Sequence, residues 1–165
     1  MLLNWLKIYR YLLPVRACVR GHYQVDEPFS YGSLRFKNRI GLSAGFDKNA
    51  ETFVEVGTVT PDYQPGNPSP RIFRLVEDES LISRTGFNNC GVDVALEHIR
   101  KYRKHSYRLG VNINKNPLSA GEQIIKDFEL VFTRLYESVD YFTLNWGSID
   151  KESFAKVLEN LTTFR

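Results

Sequence analysis

The chain of 165 residues is long enough for one domain with its own core, and its composition, 42% hydrophobic and 25% charged, is that of a soluble globular protein. A net charge of +3 suits an anionic ligand, an anionic membrane surface or nucleic acid, but it selects none of these. The two cysteines, Cys18 and Cys90, lack the spacing of a metal site. We therefore expect reduced thiols in a cytoplasmic protein, and no zinc or iron–sulfur cluster.

Residues 1–20 form a basic, aromatic-rich amphipathic segment that contains Trp5, Lys7 and Pro14. Its charges and Pro14 exclude a bilayer span, and it lacks the cleavage site of a signal peptide. The pattern predicts a helix that either lies on a membrane surface or packs on the protein's own core. We accordingly divide the chain into an N-terminal helical segment, residues 1–30, and a second unit, residues 31–165.

The stretch from residue 39 to residue 49 predicts a buried strand that opens into a charged loop. Residues 41–45 are small or apolar, and Asp47 and Lys48 follow where the strand reaches solvent. In barrels and doubly wound folds this edge of the sheet carries the chemistry. The stretch is therefore either a strand end that faces a ligand or an ordinary glycine-containing turn with solvated charges.

Predicted strands and helices alternate along the rest of the chain. Strands are predicted at residues 54–59, 109–114 and 141–145, with shorter ones at 31–37 and 72–75. The expected buried helix positions are Val92, Ala95, Leu96 and Ile99; Ile125, Phe128, Val131, Phe132 and Leu135; and Phe154, Val157, Leu158 and Leu161. This order predicts an α/β fold in which the strands from about residues 40, 54, 109 and 141 lie parallel and adjacent.

Two connections stand out from this alternation. Residues 49–53 are too few for the helix that usually joins neighbouring parallel strands, so we expect a loop without a helix there. Residues 60–71 are rich in proline, which predicts a stiff, irregular loop at the end of a strand. Three predicted strands also end in a polar residue, Thr58, Asn112 and Asn145, which would face a common ligand together with Lys48.

Motifs spread along the chain resemble class 2, quinone-dependent dihydroorotate dehydrogenase. They occur in family order at residues 44–49 (AGFDKN), 55–61 (EVGTVTP), 64–68 (QPGNP), 70–71 (PR), 73–75 (FRL), 86–89 (GFNN), 91–93 (GVD) and 110–113 (GVNI). The resemblance implies the first half of a (β/α)8 TIM-type barrel that holds FMN at the carboxyl ends of its strands. It also implies oxidation of dihydroorotate to orotate in pyrimidine biosynthesis, with electrons passed to a membrane quinone.

In this family the quinone reaches the flavin through a small N-terminal helical domain. The resemblance therefore favours a membrane-associating role for residues 1–20. It also implies a cytoplasmic protein that is peripheral to the inner, cytoplasmic membrane.

The resemblance also assigns site residues by position. The flavin would be held by Ala44, Gly45, Lys48, Thr58, Asn112 and Asn145, and the substrate would be contacted by Lys48, Ser83, Arg84, Gly86, Phe87 and Asn145. Orotate is an anion with imide edges, so a lysine and amide side chains supply the charge and the hydrogen-bonding pattern that it needs. The family has an asparagine at the position of Ser83, whose shorter side chain would not bridge to the substrate in the same way.

Ser148 is the candidate catalytic base. The family uses a serine three residues after the fourth-strand asparagine to remove the C5 proton of the substrate, and Ser148 stands at that spacing from Asn145. The family continues there with a serine-proline-asparagine loop, whereas this chain reads WGSID at residues 146–150 and enters a helix. Ser148 is therefore either the base or an N-cap of that helix, a role that Asp150 would fill equally well.

The family pattern continues beyond residue 165 with four more strands, including the lysine and glycine-rich loops that hold the flavin phosphate. We therefore expect a fragment, a degraded copy or a half barrel completed by another chain, with impaired activity alone. A non-catalytic interaction module derived from the family is the alternative function. A nucleic-acid surface around Arg100, Lys101, Arg103, Lys104 and Arg108 has no accompanying recognition motif, so we expect no nucleic-acid partner.

Overall fold

The protein is represented by a computed structural model, which describes residues 27–37, 39, 41–44, 53–102, 108–147 and 149–163. The predicted N-terminal helix lies outside the described residues. The helix-free connection predicted at residues 49–53 also lies outside them, except for Phe53, the first residue of a strand.

The described residues form an α/β fold. Its strands are β1 (Phe29–Tyr31), β2 (Leu34–Phe36), β3 (Gly41–Leu42), β4 (Phe53–Val59), β5 (Ile72–Leu75), β6 (Ser80–Ser83), β7 (Leu109–Ile113) and β8 (Tyr141–Leu144). Its helices are α1 (Val92–Tyr102), α2 (Glu122–Leu135), a 3-10 turn (Tyr136–Ser138) and α3 (Lys151–Thr162). Strands β3, β4, β7 and β8 form one parallel sheet in that order, which confirms the predicted adjacency of these strands.

The two faces of this sheet differ in chemistry because side chains alternate along each strand. On one face, Val111 and Ile113 of β7 are completely buried and belong to the same apolar core as Phe128 and Val131 of α2. Burial of such a side chain contributes about 1.5–3 kcal/mol. The opposite face, called here the polar face, carries Glu55, Gly57, Gly110, Asn112, Tyr141 and Thr143.

The predicted helix stripes are largely confirmed. Val92, Ala95, Leu96 and Ile99 of α1 are all buried, as expected. In α2 the buried face includes Ile124, which the sequence analysis missed, while Ile125 and Phe132 are only partly buried. In α3, Val157 and Leu161 are buried, but the prediction was wrong for Leu158, which is 42% exposed.

Strands β5 and β6 form a hairpin. The sequence predicted no strand at residues 77–87, and this prediction was wrong because β6 lies there. Strand β6 pairs antiparallel with β5, from Ile72 opposite Ser83 to Leu75 opposite Ser80. The turn between them, residues 76–79, contains neither glycine nor asparagine, so it lacks the usual sequence signal of a tight hairpin. Strand β1 likewise begins at Phe29, within residues 1–30, which were assigned to an N-terminal helical segment.

Gly110 generates a prediction about packing on the polar face. A Cβ atom at this position would overlap the ring of Tyr141, which lies across the backbone of β7. We expect Gly110→Ala to lower the free energy of unfolding by about 1–3 kcal/mol, the usual cost of overpacking. Urea denaturation followed by circular dichroism measures this change.

Gly147→Ala is the matched control for this substitution. Its added Cβ would meet nothing closer than Asn145 Oδ1 at 3.7 Å, so we expect a change within about 0.5 kcal/mol. Equal stabilities for the two variants would contradict the close approach of Tyr141 to β7.

Candidate functional site

Polar side chains from β4, β7 and the end of β8 meet at the carboxyl edge of the parallel sheet. Thr58 Oγ1 donates a hydrogen bond to Asn112 Oδ1 at 2.7 Å, and Asn145 Nδ2 donates to the same oxygen at 3.3 Å. These residues, called here the amide cluster, are the polar strand ends that the sequence placed at one edge. The structure therefore brings Thr58, Asn112 and Asn145 into direct contact.

A bulge in β4 explains why Thr58 faces this cluster. Gly57 pairs with Asn112 and Val59 pairs with Ile113, so Thr58 is an extra residue in the register. Under strict alternation its side chain would point away from the face that carries Asn112. Gly57 has a φ of +127°, and a Cβ there would lie 2.5 Å from the Asn112 carbonyl oxygen. This position therefore requires glycine.

A carboxylate lies beside the amide cluster on the polar face. Glu55 Oε1 accepts a hydrogen bond from Asn112 Nδ2 at 3.4 Å, and Glu55 Oε2 accepts one from Thr143 Oγ1 at 2.7 Å. The sequence analysis assigned no site role to Glu55 or Thr143. The signal was the alternation of β4, which places Glu55 on the same face as Gly57, but residues 54–59 were predicted only as a strand and Glu55 was given no role.

Tyr141 borders the same carboxylate. Burial raises its pKa from the ordinary value of 10.0 to about 12, and the negative charges of Glu55 and Asp140 add to that effect. Its hydroxyl consequently stays protonated at neutral pH. The polar face thus combines one carboxylate with neutral hydroxyl and amide groups.

Loops beyond the strand ends are tied to one another by side-chain amides. Asn89 Nδ2 donates to Thr60 Oγ1 at 2.9 Å, and the backbones of Asn89 and Gln64 exchange two hydrogen bonds. Asn116, after β7, donates to Asp62 Oδ2 at 2.7 Å and accepts from Gln64 Nε2 at 3.0 Å. The proline-rich loop at residues 60–71 is therefore anchored from two sides. Asn116 had no assigned role in the sequence analysis, and Asn89 was noted only within a motif.

The predicted substrate residues lie on β6 and on the loop that follows it. Ser83 ends β6, Arg84 Nη2 donates to the Pro68 carbonyl at 3.3 Å, and Phe87 is 43% exposed. The close approach of Gly86 to Asn67 joins this loop to the proline-rich loop. Among the described residues, no hydrogen bond connects Ser83, Arg84, Gly86 or Phe87 with the amide cluster.

The remaining predicted site residues are described only in part. Ala44 follows β3 at the same carboxyl edge and is half-buried, whereas Gly45, Lys48 and Ser148 lie outside the described residues. Asp150 is the N-cap of α3, because its carboxylate accepts a hydrogen bond from Ser153 N at 2.8 Å. Hydrogen bonding to Ser153 lowers the pKa of Asp150. The capping role considered for Ser148 is thus filled by Asp150.

The basic run at residues 100–108 is described only at its two ends. Arg108 forms an ion pair with Asp140 at 2.8 Å and donates to the Arg35 carbonyl, so it holds the β1–β2 hairpin against the sheet. Arg103 and Lys104 lie outside the described residues. Arg108 therefore has a structural role.

In the described part of the chain, no group of three or more His, Cys, Asp or Glu side chains is arranged to hold a metal ion. None of the helices that the structure describes is long and apolar enough to cross a membrane. Cys90 is an exposed free thiol.

A parallel α/β sheet with polar groups gathered at its carboxyl edge defines a class of proteins that bind ligands at that edge. Within this class, the chain belongs to the dihydroorotate dehydrogenase family, whose sequence profile matches residues 30–152. The matched range contains the whole amide cluster.

Curated relatives support this assignment. The protein named dihydroorotate dehydrogenase (quinone) from Actinobacillus pleuropneumoniae serotype 5b is 45% identical over 131 residues, covering 73% of this chain and 39% of the relative. The protein of the same name from Teredinibacter turnerae is 46% identical over 134 residues, covering 75% of this chain and 39% of the relative. The chain therefore spans about two fifths of the length of these relatives.

Solved structures give the same result. The crystal structure of DHODH from Eimeria tenella in complex with ferulenol has a TM-score of 0.72 and 32% identity, covering 86% of this chain and 45% of that one. The ligand-free DHODH from the same organism has a TM-score of 0.71 and 32% identity.

The raised pKa of Tyr141 predicts a pH-dependent contribution to stability. Because its pKa is about 12 in the folded protein and 10.0 ordinarily, the neutral form is favoured by folding. This contribution is complete below pH 10 and is lost as the pH rises to 12 and beyond. Tyr141→Phe has no ionisable hydroxyl at this position. We therefore expect the free energy of unfolding of this variant to fall less between pH 10 and pH 12 than that of the unsubstituted protein, as measured at several pH values.

Tyr63→Phe is the control, since Tyr63 is 68% exposed. It should leave the alkaline stability profile as in the unsubstituted protein. If Tyr141→Phe and Tyr63→Phe have the same profile, the burial of the Tyr141 hydroxyl beside Glu55 is refuted.

Proposed function

We propose that this chain carries the flavin and substrate face of a quinone-dependent dihydroorotate dehydrogenase, within the first part of a (β/α)8 barrel. The observation that carries the proposal is the amide cluster at the carboxyl edge of the parallel strands. The names of the curated relatives, dihydroorotate dehydrogenase (quinone), support oxidation of dihydroorotate with a quinone as electron acceptor. The product and the pathway that we propose are orotate and pyrimidine biosynthesis.

The hydrogen-bonding capacity left in the cluster supports binding of an imide edge. Asn112 Oδ1 already accepts two hydrogen bonds, while Asn112 Nδ2 gives one hydrogen to Glu55 and retains another. Among the described residues, Asn145 Nδ2 also retains one hydrogen, and the Asn145 oxygen accepts only a long bond of 3.5 Å from Gly147 N. Donors beside an acceptor match the alternating carbonyl and N–H groups of a flavin ring or of orotate.

The residues present fit FMN as the cofactor. We assign its binding to Ala44, Gly45, Lys48, Thr58, Asn112 and Asn145, since small residues such as alanine and glycine allow the close approach of a flat ring. When bound, FMN supplies the acceptor for the hydride that leaves C6 of dihydroorotate. Lys48 provides positive charge near the anionic substrate, and Ser148 removes the proton from C5 as the base.

The β6 end and the following loop are proposed as the substrate wall. We assign this role to Ser83, Arg84, Gly86 and Phe87, together with Lys48 and Asn145. Arg84 uses one guanidinium donor on the Pro68 carbonyl, which leaves further donors for a substrate carboxylate. The loop is anchored through Asn67, whose side chain donates to the Arg84 carbonyl at 2.9 Å.

The proposal extends to the arrangement of the whole protein. We assign residues 1–20 to a position peripheral to the cytoplasmic membrane, where they admit the quinone, and residues 31–165 to the barrel part. In the described sheet, β3 and β8 are the outer strands. Further strands of the same protein or of a second chain pair with these edges and complete the barrel.

Adding FMN and dihydroorotate to the full chain tests this function. We expect weak FMN binding and slow bleaching of the visible flavin absorbance by dihydroorotate, reversed by a quinone, in keeping with the impaired activity expected of this chain alone. Asn112→Asp replaces the free N–H by a carboxylate oxygen beside Glu55, so FMN or orotate affinity should fall at least about tenfold, equivalent to 1.4 kcal/mol. Fluorescence titration measures the FMN affinity, and calorimetry measures the orotate affinity.

Asn160→Asp on α3 makes the same chemical change without a side-chain bond to the cluster, and it should bind both ligands normally. The proposed function is wrong if dihydroorotate does not bleach the bound flavin. The assigned role of Asn112 is wrong if both aspartate variants bind as the unsubstituted chain does.

A further inference from the structure

We infer that Glu55 is a positioning residue that sets which end of the Asn112 amide faces the ligand, an inference that rests on the proposed function. The bonds that carry it are those from Asn112 Nδ2 to Glu55 and from Thr58 and Asn145 to Asn112 Oδ1. Glu55 acts through Asn112 and is not assigned a contact with the ligand.

An asparagine amide has two ends of nearly the same shape, so its orientation follows from its hydrogen-bond partners. Thr58 does not decide it, because a hydroxyl both donates and accepts. Asn145 does not decide it either, because its own amide can turn. In this network of described residues, only the Glu55 carboxylate is restricted to one role, that of acceptor.

The carboxylate is itself held in place. Thr143 Oγ1 donates to Glu55 Oε2 at 2.7 Å, which leaves Oε1 directed at Asn112. At 3.4 Å the bond from Asn112 Nδ2 is long, so its own strength is modest. The preference for one amide orientation comes instead from the cost of the other. In the turned orientation, Asn112 Oδ1 and Glu55 Oε1 would face each other as two acceptors with no hydrogen between them.

The orientation matters for the ligand. With Nδ2 held toward Glu55, the remaining hydrogen of Asn112 is available to a carbonyl oxygen of an imide edge. A turned amide would present an oxygen to that carbonyl and leave both acceptors without a donor, which weakens binding. Glu55 thereby makes the Asn112 position a donor in the site.

Two substitutions at Glu55 distinguish the effect of its acceptor oxygens from the effect of its side-chain size. Glu55→Met keeps a similar length without an acceptor, and Glu55→Gln keeps one acceptor oxygen. The readout that needs no ligand is the side-chain amide signal of Asn112 in a ¹H–¹⁵N spectrum, identified by its loss in Asn112→Ala. We expect that signal to move in both Glu55 variants and to stay in Glu97→Ala, which removes an exposed carboxylate from α1.

Ligand affinity provides the second readout, with FMN and orotate as the probes. We expect Glu55→Met to weaken orotate or FMN binding about tenfold, and Glu55→Gln to restore part of the loss. In the Asn112→Ala background, Glu55→Met should have no further effect, because Glu55 acts through Asn112.

Each outcome decides a separate statement. If the Asn112 signal is unchanged in Glu55→Gln and Glu55→Met, or if Glu55→Met weakens binding equally in the Asn112→Ala background, the positioning role is refuted. If Glu55→Met does not fold, the Glu55→Gln spectrum alone decides, since an unchanged Asn112 signal still overturns the role. If the unsubstituted chain binds neither probe, the proposed function fails, while the spectra still decide whether Glu55 orients Asn112.

Discussion

Burial of Val111 and Ile113 fixes the register of β7, and the candidate site depends on that register. Both side chains are fully buried against the helices, so Asn112 between them must point to the opposite face. A slip of one residue would bury the amide and expose both apolar side chains. Parallel pairing with β4 and β8 then brings Thr58 and Asn145 to the same position along the sheet. Apolar packing on one face therefore places the polar chemistry on the other.

At the carboxyl edge, the positions of the polar groups also depend on a bulge and on anchored loops, and not on regular strand pairing alone. The bulge at Thr58 turns one hydroxyl onto the polar face, and Gly57 permits the backbone to follow that path. Beyond the strands, Asn89 and Asn116 hold the proline-rich loop by hydrogen bonds to its backbone and side chains. A loop anchored in this way keeps its shape without a core of its own, which suits a wall that contacts a ligand.

Periodicity was sufficient for the main frame of the fold and for part of the site. The order of the parallel strands followed from the alternation of strand and helix, and Thr58, Asn112 and Asn145 were expected together because each ends a strand. The face of α2 was less certain because Ile124 and Ile125 are adjacent apolar residues, which leaves the helical phase ambiguous. Glu55 escaped notice because it lies within a strand, and its partner Thr143 becomes visible only when β4 and β8 are placed around β7.

The polar face of the sheet also limits what can cover it. Parallel sheets are normally covered on both faces, and an apolar layer over this face would leave the free amide hydrogens of Asn112 and Asn145 without partners. Each such unpaired group costs about 1–3 kcal/mol when buried. Each Glu55 oxygen accepts one hydrogen bond, from Thr143 or from Asn112, so among the described residues of this face the unused amide hydrogens lie at the carboxyl edge. A planar ligand with carbonyl and N–H groups would meet that capacity, whereas a packed apolar helix would not.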